Sequence, residues 1–295
     1  MRIVVTGREG QVARSLLEAA QLRKGVEVIA VGRPQLDLAR PDGVAEALEA
    51  SRPDLVVSAA AYTAVDQAED EPEAAFAVNA VGAGKVAEAT ARLGVPIIHL
   101  STDYVFDGTA DRAYVETDPT APCSVYGASK LAGEQAVAVY NPRHLILRTA
   151  WIYSPFGKNF VKTILRLATE RDEIAVVADQ WGNPTSALDI ADAILCAAAM
   201  LGGEGSFSAF GTYHLAGTGE TNWSGFARCI LDTSKALGGP KARVRDIATA
   251  DYPTRAQRPA NSRLASAKFA ATFGWRAPDW RKSTDIVARH IFNRS

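Results

Sequence analysis

The chain has 295 residues, 47% hydrophobic and 22% charged, the balance of an ordinary globular enzyme large enough for one α/β domain with an appended lobe. Its formal net charge of −1 offers no electrostatic basis for holding nucleic acid or an anionic membrane, and no apolar run reaches the ~18–20 residues of a membrane span. Cys123, Cys196, Cys229 and the four histidines have neither disulfide nor metal-ligand spacing, so no metal and a reducing, cytoplasmic location are expected.

Met1 leads at once into Arg2-Ile3-Val4-Val5-Thr6, an apolar run that reads as a buried strand and leaves no room for a signal peptide. Gly7-Arg8-Glu9-Gly10-Gln11-Val12-Ala13 follows, then helical periodicity over residues 15–23. A Gly-rich turn between strand and helix lets the backbone approach a pyrophosphate, and the helix N-terminus presents free N–H groups to it. The spacing is G-x-x-G-x-x-A, which makes Gly7, Gly10, Gln11 and Val12 candidate cofactor contacts. A second strand over residues 26–31 ends at Gly32-Arg33, where NAD binders carry an acid for the ribose hydroxyls. Arg33 pairs better with a 2′-phosphate, so NADPH is the expected cofactor, with NADH also accepted.

Helices are expected over residues 41–51, 73–93 and 125–140, and strands over 55–58, 96–100 and 145–147. Strands and helices alternating at this spacing predict an α/β fold, a Rossmann-like doubly wound parallel sheet with helices on both faces. Ligands in such sheets bind beyond the C-terminal strand ends, here Thr6/Gly7, Val31/Gly32, Ser58 and Ser101/Thr102. After Trp151 the rhythm loosens, with helices expected over 159–171, 187–201 and 223–237 and Gly/Pro-rich loops over 179–186 and 252–262. Residues 1–150 therefore read as a dinucleotide-binding domain, and 151–295 as the last sheet strands interleaved with a smaller substrate lobe.

Tyr126 and Lys130 lie four residues apart, on one face of the 125–140 helix. A phenol ordinarily ionises near ~10, and a cation within ~4–6 Å favours its phenolate. Lys130 is the obvious cation, and its long stem can also reach a ribose hydroxyl. A phenol so tuned can protonate a carbonyl oxygen as hydride arrives at carbon, while Thr102 hydrogen-bonds the same oxygen.

Eight blocks then carry a resemblance. They are Gly7-x-x-Gly10-Gln11-Val12, Ala59-Ala60-Ala61-Tyr62-Thr63-Ala64-Val65-Asp66, Ser101-Thr102-Asp103-Tyr104-Val105-Phe106-Asp107-Gly108, Glu116-Thr117-Asp118, Tyr126-Gly127-x-x-Lys130-Leu131-Ala132-Gly133-Glu134, Arg148-Thr149-Ala150-Trp151-Ile152-Tyr153, Asp179-Gln180-x-Gly182-x-Pro184-Thr185 and Arg258-Pro259-x-Asn261-Ser262-Arg263-Leu264. In that order the chain resembles the extended short-chain dehydrogenase/reductase family, and within it the dTDP-4-dehydrorhamnose reductases. The resemblance implies reduction of the C4 ketone of dTDP-4-dehydro-6-deoxy-L-mannose to dTDP-L-rhamnose. It implies Tyr126 as proton donor, Lys130 as its partner on the nicotinamide ribose, and Thr102 on the sugar oxygen. It also implies Asp37 and Leu38 near the adenine, Ala61, Tyr62 and Thr63 along the dinucleotide, and Asp103 and Trp151 facing the sugar nucleotide.

Sugar 4,6-dehydratases of the wider family place Asp-Glu after this Thr; Asp103-Tyr104 lacks the second carboxylate, which favours plain reduction over elimination. Arg258, Asn261 and Arg263 form a donor-rich loop, with Arg258 the expected diphosphate contact. Some relatives dimerise around a magnesium held by helical glutamates. The matching positions, Ser15 and Leu188, carry no carboxylate, so a monomer or weak homodimer is expected. Two other readings stay open: a catalytically idle, nucleotide-binding regulatory subunit, and a reductase or epimerase for a different sugar nucleotide.

Overall fold

A computed structural model describes residues 1–202 and 207–293. The first half runs β1 (Arg2–Thr6), α1 (Gln11–Ala20), β2 (Glu27–Val31), α2 (Val44–Ser51), β3 (Leu55–Ser58), α3 (Val65–Ala68), α4 (Pro72–Phe76), α5 (Ala83–Arg92), β4 (Ile97–Thr102), α6 (Val125–Tyr140) and β5 (His144–Thr149). The second half runs β6 (Ile152–Tyr153), α7 (Phe160–Glu170), β7 (Glu173–Val177), β8 (Trp181–Gly182), β9 (Thr185–Ser186), α8 (Ala187–Leu201), β10 (Gly211–His214), β11 (Thr221–Asn222), α9 (Trp223–Ala236), β12 (Arg243–Ile247), α10 (Ala267–Phe273) and α11 (Trp280–Phe292).

Six strands form one sheet in the order β10-β5-β4-β3-β1-β2, and every pairing is parallel. Each central strand is buried on both faces, which is why its sequence is a continuous apolar run rather than an alternation. Ile3, Val5, Val57, Ile98 and Leu147 face α1, α8 and α10, meeting Leu16, Ile190, Ile194 and Phe273. Their neighbours Val4, Val56, Ile97 and Ile146 face the other way, onto Leu48 of α2, Val86 of α5 and Val137 of α6. The chain reverses its direction of travel across the sheet between β1 and β3, and that reversal opens the crevice where such sheets bind ligands.

The expected 73–93 helix is there with a flaw. Between α4 and α5 the backbone widens into a π turn over Ala77–Gly82. Gly82 closes this turn against Leu38, where an added Cβ would lie 2.6 Å from the Leu38 carbonyl oxygen. The helix expected over 15–23 starts earlier, at Gln11, so the Gly-rich turn passes into it directly.

In the second half, α7, α9 and α11 bury a separate core around Tyr153, Ile164, Phe226, Ile230, Trp280 and Val287. The paired strands β7 and β12 flank it. Sequence reading had assigned neither this pair nor α10 and α11. No helix among the described residues is long and apolar enough to cross a membrane.

Candidate functional site

A cleft of about 870 Å³ opens at the reversal point and runs from the Gly-rich turn to α6. Its walls include every residue that sequence reading assigned to the cofactor: Gly7, Gly10, Gln11, Val12, Arg33, Asp37, Leu38, Ala61, Tyr62, Thr63, Tyr126 and Lys130.

The turn is shaped by backbone constraints. Gly7 has φ +90°, a conformation that side chains disfavour, and its N–H donates to the Val31 carbonyl at 2.7 Å. Gly10 precedes α1 without capping its first N–H groups, and a Cβ there would meet nothing within 4 Å. The residues that carry these N–H groups, Gln11, Val12 and Ala13, line the cleft. The Gln11 side chain points elsewhere. Its amide oxygen accepts from Ser154 Oγ at 2.8 Å and Asn159 Nδ2 at 3.0 Å, tying the turn to the start of α7. On the far side, Thr6 Oγ1 accepts from the N–H groups of Ala59 and Ala60, both at 3.0 Å, which fixes the strand that leads to Ala61.

At the β2 end, Arg33 is exposed and makes no ion pair or side-chain hydrogen bond with any described residue. Asp37 is turned into its own loop, where Oδ1 accepts from Ala39 N at 3.1 Å. Arg8 and Lys158 also line the cleft and were missed. Arg8 was legible, since it lies inside the Gly-rich turn; Lys158 reaches the cleft only through the fold.

The π turn explains how the Ala61–Thr63 wall is held. It rotates Asn79 inward, where Oδ1 accepts from Tyr62 N at 2.8 Å and Nδ2 donates to the Tyr62 carbonyl and to Ser129 Oγ, both at 3.0 Å. Ser129 Oγ in turn donates to the Tyr126 carbonyl. Asn79 thus joins the cofactor-side loop to the helix of Tyr126, and no motif in the sequence announced it.

Thr102 ends β4 and caps the short turn Asp103–Val105. Its Oγ1 accepts from Tyr104 N at 3.2 Å and donates to Asp103 Oδ1 at 3.0 Å. Ser124 caps α6 by accepting from Gly127 N at 3.1 Å. α6 then presses directly on that turn: a Cβ on Gly127 would collide with the Tyr104 carbonyl oxygen. Tyr126 therefore arrives beside Thr102, its ring packed edge-on against Tyr104 with centroids 5.6 Å apart.

Burial pushes the Tyr126 phenol well above its ordinary range, and the neighbouring Thr102 hydroxyl partly offsets this. Lys130 is 3% exposed and donates from Nζ to the Leu100 carbonyl at 2.7 Å. Burial lowers its ammonium to about 8. The expected pull of Lys130 on the Tyr126 phenol is not what sets the phenol in this arrangement, because the ammonium is aimed at the backbone of β4. Burial also raises the Asp103 carboxyl to about 6, against the charge-favouring hydrogen bonds of Ser262 and Thr102. Only the Thr102 bond has good geometry; Asp103 Oδ2 has no close partner.

The residues expected to face the substrate, Thr102, Asp103, Trp151 and Arg258, are not among those lining the cleft. Trp151 has φ +48° and stacks on Trp223, centroids 3.6 Å apart and planes 9° from parallel. One of its faces is therefore already covered. Arg258, expected on a diphosphate, is held by Asp66, with Nη2 to Oδ2 at 2.6 Å, and its Nη1 donates to the Tyr104 hydroxyl at 3.3 Å. A second ion pair, Arg255 with Asp70, ties the same loop to the segment after α3. Asn261 and Arg263 are likewise spent on loop carbonyls, those of Ala110 and Asp111 among them.

This geometry can be set beside known proteins. The family model described as the RmlD substrate binding domain matches residues 1–292. A dTDP-4-dehydrorhamnose reductase from Sinorhizobium fredii is 52% identical over 284 residues, 96% of this chain and 95% of that one. The crystal structure of a dTDP-4-dehydrorhamnose reductase from Clostridium acetobutylicum superposes with a TM-score of 0.91 at 35% identity, covering 99% of this chain and 100% of that one. Its counterpart from Bacillus anthracis, crystallised in complex with NADP, gives 0.89 at 34% identity, over 100% and 99%. The match to the family model over nearly the whole chain, with relatives this similar, means that the chain belongs to the RmlD substrate-binding-domain family, the family of the dTDP-4-dehydrorhamnose reductases.

Proposed function

We propose that this chain reduces the C4 ketone of dTDP-4-dehydro-6-deoxy-L-mannose with NADPH, giving dTDP-L-rhamnose. The observation that carries the reading is the single cleft joining the Gly-rich turn to Tyr126 and Lys130, in a chain aligned end to end with these reductases. The residues present fit the cofactor. The cleft lies within the ~300–1,000 Å³ of ligand sites, the α1 N–H groups are free for a pyrophosphate, and Gly10 leaves room for it. Exposed Arg33 and Arg8 suit a 2′-phosphate; of the two acids lining the cleft, Asp37 is occupied by its own loop and Glu9 lies against Arg14.

NADPH, when bound, supplies the hydride. The chain's own residues handle the oxygen and its proton. Tyr126, kept protonated by burial, gives its proton to the C4 oxygen, and Thr102 hydrogen-bonds that oxygen as negative charge develops. Lys130 holds a ribose hydroxyl and supplies positive charge beside the phenolate that forms. Asp103 and Trp151 face the sugar, and Arg258 orders the loop over it through Asp66. Residues 1–150 then serve the dinucleotide, with Ile152, Gly157 and Lys158 adding to its cleft, and 151–295 otherwise serve the sugar nucleotide, apart from β10, which joins the sheet, and α8, which packs on it. We read the protein as cytoplasmic, and as a monomer or weak homodimer, since neither Ser15 nor Leu188 offers a carboxylate to a bridging metal.

The test is NADPH oxidation with the nucleotide-linked 4-keto sugar against a panel of other keto sugars; absence of turnover with the first sinks the reading. Arg33→Ala is expected to raise KM for NADPH by ~10–100-fold, the worth of one charge-assisted contact, with little change for NADH. Equal effects on the two cofactors would make Arg33 a solvated loop charge.

A further inference from the structure

We infer that Glu134 is a positioning residue for Lys130, an anion clamped behind the site so that the buried ammonium stays charged. Lys130 and Glu134 stand one turn apart on α6, and they bond to consecutive residues of β4. Lys130 Nζ donates to the Leu100 carbonyl at 2.7 Å, and Ser101 Oγ donates to Glu134 Oε1 at 2.5 Å. Arg148 of β5 completes the clamp, with Nε to Oε1 at 2.9 Å and Nη2 to Oε2 at 2.7 Å. The Arg148 and Glu134 side chains are 7% and 5% exposed.

Arg148 and Ser101 hold the Glu134 carboxylate in place one helical turn from Lys130, and its charge acts on the ammonium. The other groups around Lys130 cannot replace it. His99, also on β4, is held neutral by burial and by the Lys130 charge itself. Arg148 is a cation, Tyr126 is protonated, and Asp103 lies past Thr102 and titrates at about 6. Burial drags Lys130 down and Glu134 pulls it up, with the balance at about 8. Without Glu134 burial acts on the ammonium unopposed and lowers it further.

The inference rests on the proposed reduction only in taking the Lys130 charge to matter for turnover, so its test has a readout free of activity. In full-length protein labelled with ¹³C-lysine, the Lys130 ε-carbon is assigned by its loss in Lys130→Met and titrated. Glu134→Gln is expected to move the midpoint to lower pH by about one unit or more, and the alkaline limb of kcat should move with it. Glu134→Gln strands the Arg148 cation, so Glu134→Gln/Arg148→Met, which removes both charges, is the safeguard against misfolding. An unmoved midpoint in the folded double variant overturns the inference. So does an activity loss that is equal at all pH values, which is what a purely structural clamp predicts. A shifted midpoint in a protein that reduces no sugar nucleotide leaves the clamp standing and removes the substrate reading instead.

Discussion

Tyr126→Phe is expected to lose ~10²–10⁴-fold in kcat while binding NADPH as the wild type does. The substitution removes one hydroxyl and leaves the ring, so the edge-on packing against Tyr104 at 5.6 Å survives. The stability of the fold should hardly change. What goes is the buried, protonated phenol that Thr102 addresses. Steady-state kinetics with saturating sugar nucleotide, alongside a fluorescence titration of NADPH, separates the two effects. Turnover close to wild type would exclude Tyr126 as the acid. A wild-type chain that bound NADPH but turned over nothing would instead favour the idle regulatory subunit.

Gly127→Ala should hurt catalysis more than a surface alanine has any right to. Alanine is the better helix former, so propensity alone predicts a small gain. The new methyl group, however, has no space beside the Tyr104 carbonyl oxygen, and its next neighbour is Pro122 at 3.0 Å. Backbone cannot swing aside as a side chain does, so either α6 or the Asp103–Val105 turn must shift. Overpacking of this kind costs roughly 1–3 kcal/mol, or several degrees in Tm. The shift also separates Tyr126 from Thr102, and misplacement by about 1 Å can cost ~10²-fold in rate. The expected pattern is a folded protein with a lowered Tm, near-normal NADPH affinity and kcat down by about two orders of magnitude. An unchanged kcat would mean that the contact between α6 and the turn does not set the catalytic geometry.

The parallel sheet was legible because buried parallel strands must be apolar on both sides, and Ile3-Val4-Val5 or Leu55-Val56-Val57 can be little else. The cleft was legible because strand ends and the Gly-rich turn converge on it whatever the loops do. The second half was harder. β12 reads Arg-Val-Arg-Asp-Ile and is largely exposed, so only its pairing with β7 makes it a strand. α11 begins at Trp280, just after Pro278 and the capping residue Asp279, and its first turns run through the polar stretch Arg281-Lys282-Ser283-Thr284-Asp285 before the next apolar residue. Arg258 illustrates the limit for side chains. Its partner Asp66 lies 192 positions away, and no local pattern says whether an arginine in a loop meets a phosphate or a carboxylate. The aim of the Lys130 ammonium at Leu100 was hidden for the same reason: a helical spacing gives the face of a residue and not the end of its side chain.

The π turn over Ala77–Gly82 has one more implication. A π turn is an α-helix carrying one residue too many, so this helix is a stretch of chain whose length and whose job disagree. Shortened by one residue before Asn79, it would relax into an unbroken α-helix with better backbone geometry. Every side chain on one side of the cut would also rotate by about 100° relative to the other. Asn79 would turn away from Tyr62 and Ser129, and the wall of the cleft would come loose from the helix that carries the acid. A change that regularises the secondary structure would thus dismantle the site, which makes the surplus residue part of its architecture, alongside Val78 of the same turn, which lines the cleft.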